Sequence, residues 1–138
     1  MTSIFFALKA ACHTTTQNAG AAALSELGLH GAQAQALLLL DQHGAMRLSD
    51  LARATQTGKP ATSTLALRLT ARGLVTRTPD PEDARAETLA LTSEGRAAAQ
   101  AMRGLVVRFE AALTEGFSDA ERATILPFLT RTATLERL

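Results

Sequence analysis

Between Asp50 and Asp80 the chain carries Arg53, Lys59, Arg68, Arg72 and Arg77 and no acid at all. Just beyond, the segment DPEDAR ends on Arg85, behind Asp80, Glu82 and Asp83. Short hydroxyls, Ser63 and Thr64, stand among the cations. Guanidinium and ammonium groups bind phosphate, and small hydroxyls reach base edges where a bulky side chain would hold a helix away. The chemistry these residue types support is recognition of a polyanion. Catalysis is not expected, because no nucleophile–base–acid set, phosphate-cradling glycine loop or metal pair is visible. No cofactor is expected either. His13, His30 and His43 all lie in the first third, with no later His or Cys to close a tetrahedral metal site.

The net charge of +1 conceals this block. Residues 47–85 hold seven Arg/Lys against four acids, net +3, and the flanks 1–46 and 86–138 are each −1. Affinity for phosphate follows local rather than total charge. All five Phe lie outside 47–91, and Trp and Tyr are absent. A single-strand or RNA binder needs aromatic platforms in its basic region, so duplex DNA is the expected partner.

The elements that must position these groups are mostly helical. Ala and Leu number 50 residues together, against five Ile and Val, which excludes an all-β fold. Residues 4–18 read as a helix with Ile4, Phe5, Leu8, Ala11 and Cys12 on one side, and 19–31 as a looser stretch broken at Gly28 and Gly31. A second helix, 32–42, ends at Gly44. RLSDLARATQ is a short helix, and TGK is a turn. A helix follows from Lys59 to Arg72, with Pro60 in its first turn and Gly73 closing it. With Leu65 and Leu69 inward, a 100° step per residue puts Thr62, Ala61 and Arg72 beside them. The same step turns Lys59, Pro60, Ser63, Thr64 and Leu67 outward. LVTRT and AETLALT form a hairpin around PDPEDAR, whose projecting Arg85 suits a narrow minor groove, with Asp83 placed to orient its guanidinium. A long helix from Thr92 carries the apolar stripe Met102, Leu105, Val106, Phe109, Ala112 and Leu113, and Ser118-x-x-Glu121 is a capping box opening a last helix that is expected to kink at Pro127.

Helix-turn-helix followed by a hairpin wing, together with L-S-D-L-A (48–52), R-L-T-A-R-G-L-V-T-R (68–77), Pro81-x-Asp83-x-Arg85 and L-T-S-E-G (91–95), resembles the MarR family of winged-helix transcription regulators. The resemblance covers residues 30–115 well. It implies a mainly α fold with a small β-hairpin wing, a winged helix-turn-helix flanked by N- and C-terminal dimerisation helices. The implied division is 1–30 for the N-terminal helix and connector, 31–92 for the DNA-binding lobe and 93–138 for the C-terminal helices, interlocked as one domain. DNA-site residues implied are Lys59, Pro60, Ser63, Thr64, Arg68, Arg77, Asp83 and Arg85. Of these, Ser63 and Thr64 would read the major groove, Arg68 and Arg77 support or touch the backbone, and Arg85 enter the minor groove with Asp83 as partner. Three positions depart from the family pattern. Thr64 replaces a frequent Arg, Ala61 a frequent Ser or Thr, and Arg47 stands where a Ser/Thr N-cap is usual.

The resemblance further implies a homodimer on a pseudo-palindromic operator with half-sites about 34 Å apart, acting as a ligand-responsive repressor. Its effector would be a small aromatic or phenolic molecule in a crevice offering His13, Gln17, His30 and Gln33. Cys12 rules out an intramolecular disulfide and fits a reducing cytoplasm. It is expected to be buried and inert, since nothing near it in sequence would lower its pKa. No apolar run approaches the ~18 residues of a membrane span. The competing readings are a winged-helix protein-interaction module without specific DNA binding and an oxidant-sensing regulator using Cys12.

Overall fold

Leucine spacing dictates where the core forms. In the computed structural model, which describes residues 3–135, Leu29, Leu37, Leu40, Leu51, Leu69 and Leu89 are sealed from solvent and come from five different segments of the chain. The chain divides into two compact units, Met1–Val106 and Val107–Leu138.

The first unit contains α1 (Ile4–Leu27), α2 (Gly31–His43), β1 (Met46–Arg47), α3 (Leu48–Ala54), α4 (Lys59–Ala71), β2 (Val75–Pro79), β3 (Glu87–Leu91) and most of α5 (Ser93–Leu113). α1 runs nine residues beyond the expected end at 18. Alanines 19 and 21–23 favour helix strongly enough to carry Gly20, a penalty of only about 1 kcal/mol. The helix closes at Gly28 (φ 63°), whose N–H reaches the Leu24 carbonyl while that of Leu29 reaches Ala23. Cys12 is exposed, which corrects the expectation of a buried thiol. Only Ala23 of α1 is buried, so the apolar side of the helix's first half has no core beneath it.

The sheet is antiparallel in the order β1-β3-β2. β2 and β3 are the expected hairpin, with Arg77 opposite Leu89 and Pro79 opposite Glu87. β1 is an addition to the expected fold: Met46 and Arg47 pair with Leu89 and Thr88. A two-residue strand offers no alternation to detect.

L-T-S-E-G owes its composition to close packing. The Thr92 hydroxyl donates to the Gly73 carbonyl at 2.6 Å and accepts from the Gly95 N–H at 3.0 Å, capping α5. A Cβ on Gly95 would stand 1.9 Å from the Leu74 carbonyl oxygen. Only glycine admits this approach. Further along α5, Ala99, Met102 and Leu105 complete the core, whereas Val106, Ala112 and Leu113 of the expected stripe are exposed and Phe109 is half-buried. Arg103 pairs with Asp41 of α2 at 3.0 Å.

The second unit holds the end of α5 and α6 (Asp119–Ala133). Ser118 and Glu121 form the expected box: the Ser118 N–H donates to the Glu121 carboxylate at 2.7 Å, and the Ser118 hydroxyl accepts from the Glu121 N–H at 3.3 Å. The Ser118 N–H, and then the Ser118 hydroxyl donating to the same carboxylate at 2.8 Å, hold the Glu121 carboxyl below its ordinary pKa. α6 is continuous through Pro127 and buries no residue.

Gly95→Ala is expected to destabilise the fold by about 1–3 kcal/mol, because the clash is with backbone that no side chain can relieve. Urea unfolding followed by circular dichroism measures it, and a loss under a few tenths of a kcal/mol would contradict the packing.

Candidate nucleic-acid interface

Rotation of α4 about its axis is fixed by what it buries. Thr62, Leu65, Ala66 and Leu69 face the core. Thr62 is a polar side chain with no exposure, and its burial is made tolerable by hydrogen bonds to the Gly58 carbonyl at 3.0 Å and to the Thr57 hydroxyl at 2.8 Å. Thr57 in turn lies 2.7 Å from the Thr55 hydroxyl, whose single proton serves either Thr57 or the Leu51 carbonyl 2.8 Å away. A chain of three hydroxyls therefore joins the end of α3 to the start of α4 through the turn. Gln56, within that turn, adopts a left-handed conformation (φ 53°).

The opposite face is uncovered. Lys59, Pro60, Thr64, Leu67 and Arg68 are exposed, Leu67 by 58%, and Ser63 is half-buried. Ala61 and Arg72, set beside the buried stripe by the sequence, are exposed as well. The Thr64 hydroxyl donates back to the Pro60 carbonyl at 3.0 Å, so its oxygen is presented outward as an acceptor. Arg53 extends from α3, 80% exposed, beside Asp50 at 3.4 Å.

In the wing, Arg85 is exposed at the tip and its guanidinium has no partner among the described residues. Asp83 does not grip that guanidinium. Its Oδ1 accepts from the Arg85 backbone N–H at 3.0 Å, and its carbonyl accepts from Ala86 at 2.9 Å. Two residues separate acceptor and donor, the geometry of an Asx turn, so Asp83 shapes the loop. Arg77 is held against Glu87 across the hairpin and keeps 22% exposure.

Two residues to which the sequence assigned no site role organise the wing's base. Asp80, 7% exposed, accepts from Arg47 through Nε at 2.6 Å and Nη2 at 3.2 Å, and from the Glu82 N–H at 2.8 Å. The Arg47 hydrogen bond, then the Glu82 N–H, holds the Asp80 carboxyl below the usual carboxylate range, and the same bond raises the Arg47 guanidinium. Arg47 in a usual Ser/Thr cap position was the available signal.

The effector candidates are divided. His30 and Gln33 come together at the start of α2, where the Gln33 Oε1 accepts from the His30 N–H at 3.1 Å and from Arg72 at 3.4 Å. Gln33 is buried and His30 exposed. His13 and Gln17 are exposed one turn apart on α1. Among the described residues no three or more His, Cys, Asp or Glu are placed to hold a metal ion. No described helix is long and apolar enough to cross a membrane.

An uncovered α4 in a lobe whose hairpin carries an exposed Arg85 at its tip is a winged helix-turn-helix, and residues 27–86, spanning both, match the model of the MarR family. Over those 60 residues the chain is similar to the MarR family. Its fold is that of the MarR-type regulators. It superposes on Bordetella bronchiseptica BpsR, studied for regulation of its DNA binding by 6-hydroxynicotinic acid, with a TM-score of 0.83, 25% identity and coverage of 97% of this chain and 95% of that one. S. aureus MepR in complex with DNA gives 0.82, 22% identity and 97% and 98% coverage. Apo MarR from E. coli gives 0.80, 22% identity and 98% coverage of both. No curated protein matches the chain in sequence. The family model and these neighbours point to DNA-binding transcription regulators as the proteins this chain is similar to.

The Asx turn separates two roles for Asp83. An Asn retains the acceptor for the Arg85 N–H, so Asp83→Asn should leave DNA affinity unchanged or slightly raised by the lost negative charge. Asp83→Ala should weaken it several-fold. Fluorescence anisotropy on a duplex target distinguishes them; equal losses in both variants would restore a charge-based role.

Proposed function

We propose that this chain is a ligand-responsive repressor that acts in the cytoplasm as a homodimer on a pseudo-palindromic operator. In this reading α4 enters the major groove with Lys59, Pro60, Ser63, Thr64 and Arg68, while Arg85 enters the adjacent minor groove, its loop shaped by Asp83 and its hairpin braced by Arg77. The observation that carries the reading is that one lobe presents both an uncovered recognition helix and an unpartnered wing-tip Arg85, within the net +3 block 47–85. Backbone contacts from the lobe's cations supply affinity, and the helix face and the wing supply register and base contacts.

Residues 1–30 and 93–138 are proposed to dimerise the chain around the lobe 31–92. Support comes from apolar side chains that each unit leaves uncovered: Ile4, Phe5 and Phe6 in the first, and Leu126, Phe128 and Leu129 in the second. Contiguous exposed apolar surface of this kind marks an association site. The effector is proposed to be a small aromatic acid or phenol, a class supported by the 6-hydroxynicotinic acid that regulates BpsR, with His13, Gln17, His30 and Gln33 as its candidate contacts.

Two measurements test this. Anisotropy of a duplex carrying the protein's own upstream region should show affinity falling steeply with salt, by about 0.9 log units per tenfold salt for each phosphate contacted. Arg85→Ala should weaken binding roughly tenfold. Equal, feeble binding to operator and scrambled DNA would refute the regulator reading. Independently, light scattering should give twice the 14.5 kDa chain mass. Leu126, 67% exposed, can be changed to Glu without disturbing a core; Leu126→Glu should yield monomer and lose operator binding, and an unchanged dimer would remove α6 from the interface.

A further inference from the structure

The two surfaces that meet DNA in this reading lie on different parts of the lobe, α4 and the hairpin tip. Simultaneous engagement of adjacent grooves requires that their separation be fixed. The hairpin emerges from the sheet at Pro79 and returns at Glu87, and nothing in a bare two-stranded ribbon fixes its tilt.

One carboxylate joins every part concerned. Asp80 follows β2 directly; its Oδ2 accepts from Arg47 Nε at 2.6 Å and lies 3.5 Å from the Thr88 hydroxyl of β3. Its Oδ1 accepts from Arg47 Nη2 at 3.2 Å and from the Glu82 N–H at 2.8 Å, inside the tip loop. The Asp80 N–H closes the loop on the Ala86 carbonyl at 2.8 Å. Arg47 ends β1, is the residue immediately before α3, and also reaches Glu82 at 3.2 Å. Its fork thus ties the first helix of the helix-turn-helix to the base of the wing. A neutral amide at position 80 could not reproduce this, because its NH2 would set a donor against donors on one side.

We infer that Arg47 and Asp80 are a positioning pair that sets the span between the recognition helix and the wing tip, so that Arg85 and α4 engage DNA together. The inference rests on the proposed role of Arg85, and it makes a prediction of unusual sign. Replacing Asp80 removes a negative charge beside a polyanion, which on charge alone tightens binding; loss of the span loosens it.

The test measures operator affinity by anisotropy at several salt concentrations for Asp80→Asn, Arg47→Lys, Arg85→Ala and the Asp80→Asn/Arg85→Ala double variant, with thermal melts confirming that each is folded at the assay temperature. Asp80→Asn is expected to bind about tenfold more weakly with an unchanged salt slope. In the Arg85→Ala background it should cost little, since the wing has nothing left to position. Arg47→Lys keeps the charge and loses the fork, so it should weaken binding likewise, and it stands in should Asp80→Asn fail to fold. Unchanged or tighter binding by Asp80→Asn, or by Arg47→Lys where it stands in, overturns the inference, as does an equal loss with and without Arg85. If Arg85→Ala itself binds normally, the wing reading fails and this inference with it; if Arg85→Ala weakens binding while the variants of the pair do not, the inference alone fails.

Discussion

Everything this lobe presents to the outside follows from the complete burial of one hydroxyl. Thr62 sits on the core side of α4 with no exposure, where an unpaired hydroxyl would cost on the order of 1–3 kcal/mol. Rotating α4 by one residue, 100°, would take Thr62 away from Thr57 and break the one hydroxyl contact between the turn and the helix, leaving Thr62 only Gly58 and Thr57 only Thr55. It would also carry Leu65 or Leu69 toward water. Leucines alone would tolerate some rolling, since hydrophobic burial is not directional. The hydroxyl chain from Leu51 through Thr55 and Thr57 to Thr62 is directional, and it converts an apolar contact into a fixed azimuth. Lys59, Thr64 and Leu67 are outward because Thr62 is inward.

Electrostatics follow the same economy. A chain with net charge +1 has little long-range pull on a polyanion, yet its charges are sorted by whether another side chain holds them. Arg47, Arg77 and Arg103 are bound to Asp80, Glu87 and Asp41 and act as ties. Lys59, Arg68 and Arg85 stand out from the lobe. Exposed ion pairs contribute little, but Asp80 is buried, accepts several hydrogen bonds and stays ionised well below neutral pH. A depressed carboxyl contributes stability above its unfolded pKa and loses it only as pH falls through the folded value. Around neutral pH the wing's anchor therefore does not titrate.

The sequence made legible what rests on periodicity and on local chemistry. The α4 stripe, Gly73 after it, the hairpin and the Ser118–Glu121 box all depend on residues within a few positions of one another. What it did not reveal depends on distance or on competition. Asp80 reads as one of several acids in a turn until Arg47, 33 residues earlier, is folded beside it. β1 exists only because β3 offers it an edge. The looser stretch expected after residue 18 is helix, because neighbouring alanines outweigh one glycine. Asp83 was given the right loop and the wrong partner. Charge suggested the Arg85 guanidinium, while an acceptor two residues ahead of an N–H closes on the backbone first.

The distribution of apolar surface bears on why such a lobe comes with long helices attached. Lobe residues 31–92 bury their own leucines well, and Leu67 is the one large apolar side chain they leave strongly exposed. The ends of the chain do the reverse: α6 buries nothing, and α1 buries a single alanine. Helices whose apolar sides meet no core within one chain gain little from tertiary packing, which is where most helical stability originates. Pairing with a second copy would supply that packing and set two basic lobes on one duplex. The second lobe would then bind at a high effective concentration, multiplying affinity without a new contact. Near-neutral flanks suit this arrangement, because a two-fold interface brings each charge close to its own copy. Keeping the positive block out of residues 1–46 and 86–138 would let the same small chain attract a polyanion without repelling a second copy.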